Sequence, residues 1–257
     1  MSNDFDRMEF GGSRENPGYT LAYKKRFAIT LELVRKAAPP PARVLDIAAA
    51  QGNFTLALAE EGYDVTWNDL REELADYVRL KYERGRVEFR PGDAFKLNFE
   101  KPFDIILATE IIEHVAHPDE FLTNVARLTR PGGYAVITTP NGGYFRNNLP
   151  KFSEHADPSI FESRQFGPDG GDHIFLLHEV ELQTLAQRAG CSVREIRLHT
   201  SFFLNGHLKT EPLLRAMPAS VANGMDSLLQ LMPHALRRKI DVGLAALLQL
   251  SGKPRVV

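Results

Sequence analysis

Cysteine is nearly missing from these 257 residues, and the single Cys191 leaves no disulfide to close within the chain. The N-terminal stretch MSNDFDRMEFGG lacks the apolar run of a secretory signal, so the expected compartment is cytoplasmic. An excess of one charge is lacking too. The 31 Lys and Arg stand against 33 Asp and Glu, a formal net charge of −2 that gives no overall attraction for polyanions such as nucleic acid or acidic membranes. No uninterrupted apolar run suits a bilayer: the most apolar late stretch, LLQLMPHALRRKIDVGLAALLQL, is broken by Pro233 and by Arg237, Arg238 and Lys239. What is present is the composition of a globular protein with a large core, 43% hydrophobic, 25% charged and 9% aromatic, without an internal repeat.

Signals alternate along the chain. Residues 1–18, with Gly11, Gly12, Pro17 and Gly18, read as a mobile arm, and a helix is expected from near Tyr19 to the prolines at 39–41. Arg43 to Ile47 has the continuous apolar character of a buried parallel strand. A helix over 54–61, a strand over 64–67, a helix over 72–84 and strands over 86–90 and 103–109 follow. After them come a helix over 119–129, stopped by Pro131, Gly132 and Gly133, and a strand over 134–139. A helix over 179–189 and a strand over 192–200 complete a domain spanning 19–200, whose Gly- and Pro-rich insertion at 141–175 is where an acceptor is to be sought. Residues 201–257 read as a helical C-terminal cap. Such alternation predicts an α/β fold, a doubly wound and mostly parallel sheet with added C-terminal helices.

The segment VLDIAAAQGNF, Val44 to Phe54, sets a strand, a turn of small residues and a helix in succession, the arrangement by which backbone meets ligand at a sheet's carboxyl edge. It resembles the first motif of class I S-adenosylmethionine-dependent methyltransferases, an acid followed by G-x-G-x-G. Asp46 stands as the acid, with Ala48, Ala50 and Gly52 at the glycine positions. Two glycines are replaced by alanine, which permits close approach while its φ stays negative. In DVTWNDL, Asp69 lies 17 residues beyond Gly52, and the resemblance makes it the ligand of the cofactor's ribose hydroxyls. In RPGDAF the resemblance gives Asp93 and Ala94 the adenine contacts, although an Asp in such a loop also serves as a helix cap. A nicotinamide dehydrogenase would need G-x-G-x-x-G here, which is absent. The likeness extends over residues 40–195.

In TEIIEHVAHP, Glu110, Glu113 and His114 stand at i, i+3 and i+4, so one helical turn would present all three together, and His173 in GGDHIF would complete two carboxylates and two imidazoles. The plainer alternative has Glu110 touching cofactor or capping a helix and His114 packing at the pocket wall. This set resembles two groups of metal-assisted O-methyltransferases, the ubiquinone-biosynthesis enzymes and the small-RNA 2′-O-methyltransferases. The second carries E-x-x-E-H followed by D-H-x-F, matched by Asp172, His173 and Phe175. The resemblance implies a divalent metal (Mg, Mn or Zn) on Glu110, Glu113, His114 and His173; without one, His114 or His173 is the best available catalytic base. A hydroxylated small-molecule acceptor (catechol, sugar or lipid-linked) is the expectation. RNA would want more positive charge, and a cofactor-binding protein without catalysis is the other alternative. His178, five residues after His173, is a further candidate for the same role, although a His opening a helix is more often an exposed cap; His117 reads as a turn before a helix and Cys191 as a small core residue.

Leu213, Leu214, Met217, Leu228, Leu229, Leu231 and Met232, with Leu244, Leu247, Leu248 and Leu250, read as apolar helical stripes. Beside Arg237, Arg238 and Lys239 they suggest a wall for an apolar acceptor or contact with a membrane surface. The final PRVV reads as an edge strand.

Overall fold

The computed structural model describes residue 6, residues 8–9, 17–166, 173–205 and 209–251. Helix α1 (Pro17–Ala37) leads into β1 (Arg43–Ile47), α2 (Asn53–Glu60), β2 (Asp64–Asn68), α3 (Glu73–Lys81) and β3 (Arg86–Phe89). Next come β4 (Phe103–Thr109), a 3₁₀ turn (Ile112–His114), α4 (Pro118–Leu128) and β5 (Thr129–Pro140). Among its described residues the insertion holds two 3₁₀ turns, Phe152–Glu154 and Pro158–Arg164, before α5 (Glu179–Arg188) and β6 (Cys191–Ser201). Short helices α6 (Glu211–Ala216), α7 (Ala219–Leu229) and α8 (His234–Ile240) then precede β7 (Asp241–Leu250).

The seven strands lie in the order β3-β2-β1-β4-β5-β7-β6. The pairs from β3 to β5 are parallel, whereas β7 runs antiparallel to both β5 and β6. Strand order reverses between β1 and β4, and a crevice at the carboxyl ends of the strands beside such a reversal is where doubly wound sheets bind ligands. Helices cover both faces. Leu45, Ile47, Ile106, Ala108 and Ile137 pack with Phe121 and Val125 of α4 and Leu182 of α5. The alternate residues Val44, Ile105, Leu107 and Val136 pack with Leu33 and Val34 of α1 and Phe54 and Leu58 of α2. Burial on both faces explains why these strands carry unbroken apolar runs.

The expectation of a helical cap over residues 201–257 fails towards its end. Residues 241–250 form β7, a central strand whose Leu244, Ala246, Leu248 and Leu250 enter one core and whose Ala245 and Leu247 enter the other. A short apolar run buried on both sides has no period-2 signature, and Leu and Ala favour helix locally. The helical cap therefore ends at Ile240, and residues 241–250 belong to the sheet. Gly243 marks the strand: a Cβ there would stand 2.2 Å from Cε1 of His199 on β6.

Helix α1 begins at Pro17, inside the expected arm. Most of that arm, like the final PRVV, lies outside the described residues. Asp6 and Glu9 are helical and docked, both accepting from Asn53 Nδ2, at 3.1 and 2.7 Å. Among the described residues no helix is long and apolar enough to cross a membrane.

Candidate active site

The loop after β1 turns on left-handed residues, with φ of 55° at Ala48, 47° at Ala50 and 72° at Gly52. The alanines therefore do not keep negative φ as expected. They take up the glycine conformations with a Cβ attached, a strain of about 1 kcal/mol each. Tertiary contacts hold them there. Ala49 N–H donates to the Asn68 carbonyl (2.9 Å), Trp67 Nε1 donates to the Ala50 carbonyl (3.1 Å), and Ala50 N–H donates to Asp69 Oδ2 (2.9 Å). Gly52 has no room for a side chain, since a Cβ would lie 2.6 Å from Val78 Cγ1. It opens α2 without a side-chain cap, which leaves first-turn N–H groups for other acceptors.

Asp46 is fully buried at the end of β1 and accepts from Thr55 Oγ1 at 2.6 Å, tying strand to helix. Its Oδ1 is buried with no partner, and burial pushes its carboxyl up to about 7. Asp69, just past β2, is 3% exposed. Besides Ala50 it accepts from Arg71 N–H and from Nε (both 2.9 Å) and a terminal guanidinium nitrogen (3.0 Å) of Arg71. Asp93 accepts from Phe95 N–H (3.0 Å) and pairs with Lys96, so it does cap its turn, while Ala94 is buried beside it. Asn68 Nδ2 donates to the carbonyls of Arg90 (2.6 Å) and Gly92 (2.9 Å), drawing the loops after β2 and β3 together. The structure thus gathers Asp46, Ala48, Ala50, Gly52, Asp69, Asp93 and Ala94 on three neighbouring strand ends.

Across the switch point the expected single helical turn does not form. Glu110, the residue after β4, has φ of 50°, and a 3₁₀ turn follows only from Ile112 to His114. Glu110 consequently faces elsewhere: its carboxylate accepts from Thr138 Oγ1 (2.9 Å) and pairs with Arg26 (3.0 Å). Glu113, His114 and His173 do converge, each offering a ligand atom within 4.8 Å of the others. The two imidazoles lie edge to face, with centroids 4.9 Å apart. Glu113 is fully buried; Oε2 accepts from Thr139 Oγ1 (3.1 Å) and Oε1 has no partner. Burial, reinforced by Glu110, raises its carboxyl well above the usual range. The Glu113 carbonyl accepts from Ile174 N–H (2.8 Å), which moors the segment carrying His173. Asp172 lies outside the described residues, and Phe175 is buried against Phe152 and Phe161.

The remaining candidates behave as structural residues. His178 opens α5, its backbone N–H donating to Glu181 at 3.1 Å. His117 precedes α4 and meets Glu162 at 3.0 Å. Cys191 is buried in β6, and burial pushes its thiol up to about 11. Sequence reasoning missed Arg26. It sits mid-helix in α1 beside Lys24 and Lys25 with no motif around it; one helical turn sets it 5.1 Å from the ring centroid of Tyr23, and only the fold brings it to Glu110.

The methyltransferase domain family model matches residues 21–196. A ubiquinone biosynthesis O-methyltransferase of Caulobacter sp. (strain K31) is 37% identical over 103 residues, 38% of this chain and 41% of that protein. One from Xylella fastidiosa (strain 9a5c) is 36% identical over 118 residues, 44% of this chain and 48% of that protein. The chain thus spans less than half the length of these curated relatives. Among solved structures, the magnesium protoporphyrin IX methyltransferase of Synechocystis PCC 6803 with bound S-adenosylhomocysteine shares the fold, with a TM-score of 0.59 at 13% identity over 97% of this chain and 94% of that one. An S-adenosylmethionine-dependent methyltransferase from Mesorhizobium loti does so with 0.58 at 14% identity over 89% and 97%. With a family model spanning β1 to β6, this strand order and a glycine-position loop at the switch point, the chain belongs to the methyltransferase domain family, in its class I, S-adenosylmethionine-dependent form.

Proposed function

We propose that the protein moves the sulfonium methyl group of S-adenosylmethionine to an oxygen of a hydroxylated small molecule, with Glu113, His114 and His173 at the reacting end. The observation that carries this reading is the convergence of those three side chains across the switch point from the 48–52 loop. The cofactor fits the strand ends. Left-handed backbone at 48, 50 and 52 brings main chain close to a ligand, and Asp69 offers a carboxylate suited to paired hydroxyls.

Two imidazoles and a carboxylate with an unpartnered buried oxygen also suit a divalent cation such as Mg, Mn or Zn. When bound, such an ion would lower the pKa of an acceptor hydroxyl. His114, His173 and Glu113 would hold it, while Glu110 stays with Arg26. Without an ion, an imidazole of the pair accepts the hydroxyl proton as the methyl group leaves sulfur, which becomes a thioether. Relatives bearing the name ubiquinone biosynthesis O-methyltransferase favour a catechol-like acceptor.

Titration calorimetry of S-adenosylmethionine, then turnover with catechol acceptors in chelator-treated protein with and without Mg²⁺, Mn²⁺ or Zn²⁺, tests this. Turnover lost in His173→Ala with cofactor affinity retained is the expected result. Metal dependence that disappears in Glu113→Gln supports the ion-holding role. Cofactor binding without turnover on any hydroxylated acceptor would sink the oxygen-transfer reading.

A further inference from the structure

Helix α7 has three faces. Ala222, Asp226 and Leu229 turn inward, the first two buried, with Asp226 accepting from Ser201 N–H at 2.8 Å and paired with Lys25 of α1. Ser220, Asn223 and Ser227 form a polar face. Between them Val221, Met225 and Leu228 fall at i, i+4 and i+7 of the helix, with Met232 in the turn after it, and all four are exposed, Leu228 by 67%. That spacing is one continuous helical stripe. Leu231 extends it at 80% exposure, and Leu236 of α8 adds to it.

Charge beside the stripe is one-sided. Residues 209–240 carry five Lys and Arg against two Asp and Glu, in a chain whose net charge is −2; of the five, Arg237 is paired with Asp241 at 3.0 Å, and Glu179 of α5 meets His234 at 2.8 Å. Of the acids, Asp226 is buried and neutralised by Lys25, and Glu211 accepts from Gly18 N–H at 3.2 Å. Arg238 and Lys239 are exposed, and their backbone anchors the cap beside the site. The Arg238 carbonyl accepts from Asn141 Nδ2 and the Lys239 carbonyl from Phe145 N–H, both at 3.0 Å, just past the carboxyl end of β5. Self-association through this face would set like charges against each other, because a twofold contact repeats the same patch.

We propose that α7 and α8 are a docking surface for an anionic lipid bilayer, lying in the interface with the Val221–Met232 stripe among the acyl chains and Arg238 and Lys239 at the headgroups. Docking holds the carboxyl edge of the sheet close to the bilayer, so an amphipathic acceptor would reach the site along the membrane surface. This inference concerns the cap alone and stands whether or not the acceptor chemistry proposed above is right.

Co-sedimentation with phosphatidylcholine vesicles, with and without phosphatidylglycerol, tests it on the full chain. Binding is expected with the anionic vesicles, falling as salt rises. Met225→Glu/Leu228→Glu should abolish it, and Arg238→Ala/Lys239→Ala should weaken partition about 25-fold, from roughly fivefold per cation. Both double variants should keep the thermal melt and calorimetric cofactor binding of the parent protein. Parent protein that stays in the supernatant with anionic vesicles overturns the proposal, as does binding indifferent to both variants. So does a parent dimer in analytical ultracentrifugation that Leu228→Glu converts to monomer without any vesicle binding. Loss of cofactor binding or turnover with vesicle binding intact would strike the functional reading and leave this one standing.

Discussion

Arg71 lies over the carboxylate of Asp69, its guanidinium and backbone N–H both donating to the group proposed above to meet paired hydroxyls of the cofactor. The guanidinium side chain is 55% exposed, so its pairing contributes at most about 1 kcal/mol. In the cofactor complex proposed above, the ribose hydroxyls compete with this pairing for the carboxylate. Arg71→Ala should therefore tighten S-adenosylmethionine binding by up to about fivefold, whereas Asp69→Ala should abolish it in calorimetry. A weaker Arg71→Ala would mean that the arginine helps to hold ligand.

The strained alanines predict stabilisation by glycine. Ala48→Gly and Ala50→Gly each remove a left-handed Cβ and should gain about 1 kcal/mol of stability, read from chemical denaturation. Gly52→Ala should do the opposite, because its Cβ meets Val78 and α2 must shift. No gain from either glycine substitution would mean that packing of those methyl groups outweighs the backbone strain.

Acid stability should carry the signature of His199. Burial, with Arg26, Lys25 and Arg237 adding to it, pushes this imidazole down to about 3. The unfolded chain takes up a proton near pH 6.5 that the native state refuses until near 3. Stability from this group is thus present above about pH 6.5 and lost as pH falls toward 3. Relative to His199→Gln, the parent protein should weaken by up to about 1.4 kcal/mol per pH unit across that window. Taking the difference between the two proteins cancels the contribution of Asp46, whose raised carboxyl works in the opposite direction. A constant difference from pH 7 to 4 would mean that the ring is solvated.

Gly243→Ala is expected to cost several kcal/mol, since a methyl group would occupy the place of the His199 ring. His199→Ala in the same chain should restore much of the loss. Additive effects in the double variant would show that the two positions do not share space.

The legible parts of the fold were those with local punctuation. Arg43 to Ile47 stood out between prolines and a turn of small residues, and β1 has those bounds. β7 gave no such warning, because a strand walled by β5 and β6 and covered on both faces carries the same Leu and Ala run as a buried helix. Its one clue was Gly243. In the site, the motifs after β1, β2 and β3 could be placed at neighbouring strand ends because each follows a locally punctuated strand, although the left-handed turn at Ala48 and Ala50 was not legible. Glu110 did not, since helical spacing says nothing of a left-handed residue that breaks the turn and hands its carboxylate to Arg26 on a helix 84 positions earlier.

The insertion of β7 between β5 and β6 also orders the assembly of the chain. As the polypeptide leaves a ribosome, β1 to β5 can pair in turn, but β6 has no neighbour in the sheet until residues 241–250 emerge. At roughly 5–20 residues per second, residues 202–240 impose a wait of some seconds, during which the free edge of β5 stays open. An unpaired edge of this kind is a template for pairing with another nascent chain. Production of the protein should therefore be more sensitive to the speed of translation between Ser201 and Asp241 than anywhere upstream.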